Sequence, residues 1–168
     1  VNVKVIKAEK PAFGLALVAA LEGFRFEPAK RAGSAVPHVL NFEQDFNLTE
    51  FRDERVDALI ALEKKSPEKI VASTTLDVPL KPTLRRDPVF PISVSPQITT
   101  GEAEVECLVD IDGSVRLARI ASASDPAFGY AAVQAASGWW FEPPQMANKA
   151  VVARTRIPFS FSAKAATP

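Results

Sequence analysis

The 168-residue chain has one cysteine, Cys107, and one histidine, His38. A lone cysteine excludes an internal disulfide and any cysteine-based zinc site, and a lone histidine excludes a multi-histidine metal centre. Neither charge sign is in excess, with 20 basic and 20 acidic side chains, so nothing favours nucleic acid or an anionic membrane surface as partner. No run of about 20 apolar residues occurs, so the sequence as given contains no spanning helix and no secretory signal. Also missing are a Gly-x-Ser-x-Gly elbow, a phosphate loop, a dinucleotide fingerprint and any metal-spaced ligand set. The acidic pair Asp110 and Asp112 belongs to a turn, where aspartate serves backbone geometry. These gaps exclude most enzyme classes and imply no cofactor, leaving a binding or structural role. The 47% hydrophobic content is enough for a real core.

What the chain does contain is a repeat. Gly138-Trp139-Trp140-Phe141-Glu142-Pro143 answers Gly23-Phe24-Arg25-Phe26-Glu27-Pro28 at an offset of 115, which holds without a gap from Pro11 to Phe46. Pro11-Ala12-Phe13-Gly14 falls on Pro126-Ala127-Phe128-Gly129, and Ala32, Val36 and Phe46 fall on Ala147, Val151 and Phe161.

In the first copy, Val1, Val3 and Val5 alternate with polar residues and predict a strand over residues 1–8. Phe13, Ala16, Leu17, Ala20 and Leu21 give helical spacing after Pro11, closed by Gly23 as a residue free to take positive φ. Val36, His38, Leu40, Phe42 and Phe46 predict an inward strand face. In the second copy, Val105, Cys107, Val109 and Ile111 are expected inward and Glu104, Glu106 and Asp110 outward. Asp112-Gly113 signals a two-residue hairpin, and Val115–Ala121 its return strand. Asp125 is a good N-cap for a helix over about 127–137, where the first copy has Lys10. Val151–Phe161 make the last strand, with Pro158 directing its missing donor to an edge or outward.

The predicted class is α+β, as two small modules. Each is a short, mainly antiparallel sheet with a helix packed on one face, in the order strand-strand-helix-strand. The divisions are residues 1–46, a helix plus extended connector at 47–87, and a complete module at 88–163. The offset leaves the first module without its opening strand. Upstream residues are the favoured source, with Lys69–Leu76 the in-chain candidate and a neighbouring molecule's strand a third. In the connector, Asn47-x-x-Glu50 resembles a capping box opening a helix to about Lys65, and Pro79, Pro82, Pro88, Pro91 and Pro96 mark an extended, semi-rigid run.

Several pieces in fixed order resemble the C-terminal domain of TonB-type energy transducers. These are Pro88-Val89-Phe90-Pro91, Gly101–Val105, the hairpin Val109–Val115, the helix from Ala131 into Trp139-Trp140-Phe141-Glu142-Pro143, and Arg156–Phe161. Residues 1–46 resemble a truncated copy. The resemblance implies a periplasmic binding module rather than an enzyme, with any inner-membrane anchor lying upstream of this chain. In that family the domain pairs with an extended peptide of an outer-membrane transporter, by strand addition at an open sheet edge. The alternative is a structural or assembly module that pairs with itself, as a homodimer through edge strands, or with another envelope protein.

Trp139, Phe141, Phe24 and Phe26 are expected in cores, since both copies need them. Trp140 answers Arg25, so its position tolerates charge and faces out, which makes it a contact candidate. Lys149, Val152, Arg154, Arg156 and Ser160, on the last strand and its approach, are the other partner-binding candidates. Glu27 and Glu142 are expected to tie down a loop. His38 and Cys107 are expected to be buried core residues.

Overall fold

The computed structural model describes residues 3–46 and 53–163. The helices are α1 (Pro11–Glu22), α2 (Glu54–Lys65) and α3 (Pro126–Ala136). The short strands are β1 (Lys30–Arg31), β2 (Ser34–Ala35), β3 (Val71–Ala72) and β4 (Pro82–Leu84). Long strands β5 (Thr100–Val109) and β6 (Val115–Ala123) come next; after α3 follow β7 (Trp140–Phe141), β8 (Gln145–Met146), β9 (Lys149–Ala150) and β10 (Ala153–Ser162). No helix among the described residues is long and apolar enough to cross a membrane.

The α+β class is realised around one sheet in the order β3-β10-β5-β6. β5 pairs antiparallel with β10 from Ala153↔Val109 to Ser162↔Thr100, and antiparallel with β6. Strand alternation sends Ala103, Val105, Cys107 and Val109 to one face. They meet Phe128, Ala131, Ala132, Ala135 and Ala136 of α3, with Ile157, Phe159 and Phe161 of β10 completing the core. Small residues along α3 let the helix lie close to the sheet. The closeness has a limit at Gly101, where an added Cβ would sit 2.1 Å from the Phe128 ring. Asp125 caps α3 by accepting from the Ala127 N–H at 2.8 Å, while Lys10 gives α1 no such bond.

The connector is more ordered than an open proline run. Its helix starts at Glu54, capped by the Asp53 carboxylate, which accepts from the Arg55 N–H; Asn47 and Glu50 lie outside the described residues. α2 covers the second face of the sheet, burying Leu59 against Leu108 and Val152. Lys69–Leu76 contributes only β3, which joins β10 in parallel rather than supplying a strand to the first half. β4 pairs with β7, Phe90 meets Phe128 edge-on at 5.4 Å, and Trp139 Nε1–H donates to the Arg86 carbonyl at 2.8 Å.

Differences concentrate in the first half. Helix α1 and hairpin β1–β2 stand 115 residues before α3 and β8–β9, and both hairpin turns take positive φ (Ala32 50°, Gly33 83°; Ala147 51°, Asn148 59°). Residues 3–8 and 36–46, expected as strands, have no ladder partner among the described residues and form none. His38 is consequently exposed rather than buried, as are Phe24, Phe26, Leu40, Phe42 and Phe46. Gly23 takes a right-handed φ of −78° and not a positive one. Its small size instead admits Arg86: a methyl there would lie 3.2 Å from Nη2, and one on Gly138 3.3 Å from Cδ. One cation thus sits at the carbonyl-rich ends of two helices, where it is favoured.

The β5–β6 turn also departs from expectation. Asp110 N–H donates to Ser114 O, which leaves a three-residue loop with Gly113 at φ 90°. Asp110 lies on the same face of β5 as Leu108 and is buried there under α2, whose Arg55 binds it, while Ile111 falls in the loop and is exposed.

Gly101→Ala is expected to lower unfolding free energy by about 1–3 kcal/mol through overpacking. Phe141→Ala, at a buried site, is expected to cost about 3–5 kcal/mol. Trp140→Ala, at an exposed one, should cost less than about 1 kcal/mol. Denaturant unfolding of the three variants checks the ranking.

Candidate functional site

The candidate site is the outer edge of β10. Ala163 N–H donates to Thr99 O at 2.8 Å, and the register runs unbroken from there through Phe161↔Gly101 to Ala153↔Val109. Odd-numbered residues of β10 therefore spend their backbone groups on β5, and even-numbered ones aim theirs away from it. Val71 N–H accordingly donates to Val152 O at 2.9 Å, and β3 covers the edge as far as Arg154. Beyond it, the outward backbone groups of Arg156, Pro158, Ser160 and Ser162 have no backbone partner among the described residues. This stretch is roughly 23 Å long at strand rise. Pro158 points its donorless nitrogen outward, so the β5 ladder loses nothing and the free edge lacks one donor.

The opposite edge is a poorer template. β6 pairs with β5 through two register shifts, and Leu117 takes a positive φ of 49°. Bulges of this kind twist an edge away from further pairing.

An ion-pair lattice joins α2 to the sheet. Arg154 contacts Glu63 at 2.8 Å and Glu106 at 3.0 Å; Arg119 contacts the same two at 2.9 and 2.5 Å. Arg156 reaches Glu104 at 3.2 Å and Glu106 at 3.3 Å. Arg55 grips the buried Asp110 with two nitrogens, and Arg116 meets Asp53 at 3.0 Å. The hydrogen bonds from Arg119, helped by Arg154, hold Glu63 and Glu106 below the ordinary carboxylate range. For Asp110, burial pushes upward, but the Arg55 hydrogen bond and the Ile111 N–H together outweigh it and the net shift is down. Burial, with the Glu106 charge behind it, pushes the Cys107 thiol up to about 12, leaving it a small apolar core residue at neutral pH. Among the described residues no three His, Cys, Asp or Glu side chains gather as a metal site.

The six residues singled out from sequence are not one patch. Arg156 and Ser160 lie on the free edge. Arg154 is engaged by Glu63 and Glu106, and Val152 is buried under α2, so its side chain offers no contact surface. Lys149 is exposed in the β8–β9 hairpin. Trp140 is exposed but bridges Ser114, at the end of the sheet opposite the Ser160↔Glu102 pair. Glu142 does tie down a loop, pairing with Lys81 at 2.8 Å. Sequence reasoning missed Ser162 and the part played by α2 and β3. Leu59, with Phe51, Val56, Ile60 and Leu62, read as the apolar side of a helix, but nothing local said which surface that side would meet, and Arg55 and Glu63 gave no signal.

Residues 86–163 match the family described as Gram-negative bacterial TonB protein C-terminal. This stretch, 78 of the 168 residues, is similar to a TonB-type C-terminal domain. No curated protein matches the chain. The matched stretch opens at Arg86, the side chain lodged beside Gly23 and Gly138, and closes at Ala163, whose N–H ends the β10–β5 ladder. The matched stretch excludes α1, α2 and β3.

The pH response follows from the depressed carboxylates. Their folded pKa values lie below the unfolded ones, so they stabilise docking above the ordinary carboxylate pKa of about 4 and stop doing so as pH falls through the folded values. Amide exchange in α2 is expected to quicken below about pH 4 while the β5–β10 ladder stays protected. Uniform protection of α2 down to the global acid transition would contradict this.

Proposed function

We propose that the TonB-type domain is a periplasmic protein-binding module of an outer-membrane transport and energy-transduction system. It captures an extended peptide, such as one presented by an outer-membrane transporter, as an added strand along Arg156–Ser162. The observation carrying this reading is the row of outward backbone groups on β10, regular and without a backbone partner among the described residues. Main-chain hydrogen bonds give such a complex its affinity, and side chains on alternate positions give selectivity. Arg156, half-exposed beside Glu104, is placed to read charge on the incoming strand. Localisation in the periplasm belongs to the same proposal and is supported by the family match. The reading assigns no catalysis.

Proline substitution separates binding from folding. Ser160→Pro removes an amide aimed outward and leaves the β5 ladder intact; Phe159→Pro removes an amide that β5 uses. Loss of one interchain hydrogen bond, about 0.5–1.5 kcal/mol, corresponds to roughly 2- to 12-fold weaker binding. Titrating transporter-derived peptides against the chain should show that loss for Ser160→Pro, with an unchanged melting curve, and unfolding for Phe159→Pro. Unaltered affinity in a folded Ser160→Pro chain would rule out this edge.

A further inference from the structure

One segment of the chain already does to β10 what the proposed function asks of a partner. β3 lies on the outer edge of β10 as an added strand, parallel to it. Ala153↔Val71 and Arg154↔Ala72 are in register, and Val71 N–H donates to Val152 O at 2.9 Å. The pairing then stops. Thr75 Oγ1–H donates to the Ala72 carbonyl at 2.9 Å, and Ser73–Thr75 curls into a short turn that carries the chain off the edge. The last tie is Ser73 Oγ–H to Thr155 Oγ1 at 3.2 Å, one residue short of the outward groups that begin at Arg156. β3 and the open stretch are consecutive parts of one rail.

β3 is held there by α2. Ser66 N–H donates to Leu62 O at 2.9 Å, and Lys69 N–H to Ser66 O and Ile70 N–H to Pro67 O at 3.0 Å. α2 therefore runs into β3 through hydrogen-bonded turns, and the two form one arm. A two-residue ladder is too short to persist unaided. Of residues 53–76 only Leu59 is buried, against Leu108 and Val152. Glu63 adds ion pairs to Arg119 and Arg154. Beyond the turn, Asp77 N–H donates to Gln145 O at 3.1 Å, and the Asp77 carboxylate accepts from Asn148 N–H at 3.3 Å. This tether keeps the arm near the edge, so its return is an intramolecular step.

We propose that Val152–Arg154 belongs to the same strand-binding edge as Arg156–Ser162, and that the α2–β3 arm is its tethered competitor, displaced by a partner strand long enough to run past Arg156. The inference rests on the reading that β10 captures a strand. A short strand fits beside β3 and leaves the arm docked. A longer one takes the outward groups of Val152 and Arg154 from β3, and the arm leaves with it. Capture of a long strand then uncovers Leu108 and releases Arg119 and Arg154 from Glu63, a change on the second face of the sheet that a short strand does not cause.

The test uses the full chain and one transporter-derived peptide in two lengths: seven residues, the span of Arg156–Ser162, and eleven, the span of Val152–Ser162. Val71→Pro removes the amide that meets Val152 O, and Ile70 before it is already extended, as a residue preceding proline must be. Glu63→Gln removes the charge that α2 offers to Arg119 and Arg154. Val71→Ala keeps the amide and serves as control. Loss of one backbone hydrogen bond from the arm should tighten the longer peptide by roughly 2- to 12-fold in Val71→Pro. Glu63→Gln should act in the same direction and Val71→Ala should match the parent. The shorter peptide should bind all four chains alike. Saturation of the parent with the longer peptide should quicken amide exchange in α2, and saturation with the shorter one should not. If neither peptide binds any chain, capture at β10 is refuted, and the competing arm with it. If the shorter peptide binds but the longer one gains nothing from release of the arm, or leaves α2 protected, capture stands and the competing arm alone is refuted.

Discussion

The structure depends on the central position of β5. It is the strand flanked along its length on both sides, by β10 and β6, and the one whose two faces are both covered, by α3 and α2. On one face, Ala103, Val105, Cys107 and Val109 close the aromatic core. On the other, Leu108 is buried against Leu59, while Glu106 gathers Arg119, Arg154 and Arg156. The first half shows what its lack means. The same helix, hairpin and ring pairs form there, yet no long-stranded sheet forms, since the two outer segments have no ladder partner among the described residues. Helices and tight turns close their own hydrogen bonds locally; strands cannot.

The two rims of the sheet are handled by different means. β6 is irregular, with register shifts and a left-handed Leu117. β10 is regular, and its protection comes from β3 at one end and Pro158 in the middle. A proline on a rim costs the fold nothing when its nitrogen faces away from the ladder, and it makes indiscriminate pairing with other edges less favourable. An edge of this design is not sealed. On the proposed reading it takes a strand that tolerates one missing donor.

Much of this was legible in the sequence, and the reasons for the rest are physical. The offset of 115 and the helical spacing located α1 and α3, because helix periodicity acts over a few positions; the hairpins β1–β2 and β8–β9 stand where only loops were legible. Alternation identified β5 and β10, and the outward aim of Pro158 followed from its missing donor. The failures lie where long-range pairing decides. Val36–Phe46 has strand-like alternation but no ladder partner among the described residues, and His38 and Phe42 are exposed. Asp110 is buried because α2 covers the face expected to be outward, and Ile111 is exposed because it falls in the three-residue loop that closes the hairpin. The docking of α2 could not be read from its apolar stripe alone, for a stripe says that a helix is covered and not by what. Of the site, Arg156 and Ser160 were legible as outward strand positions. Trp140 was legible as exposed, but its distance from them depends on the register with Ser114.

The position of α2 and β3 bears on how the edge works. Leu59 supplies a small apolar contact, and the rest of the docking rests on ion pairs that remain partly solvated. Exposed pairs of this kind contribute about 0–1 kcal/mol each, far less than the buried layer beneath α3. The two faces of β5 therefore differ in strength, and the weaker one adjoins the rim proposed to take a strand. β3 adds only two residues to β10, so most of the rim's backbone capacity stays uncommitted within the fold. A strand seated on Arg156–Ser162 would run beside Glu104 and Arg156, and its charge would act on the same lattice that holds α2. On the proposed reading, Glu106, the carboxylate shared by Arg119, Arg154 and Arg156, would link occupancy of the rim to docking of the helix.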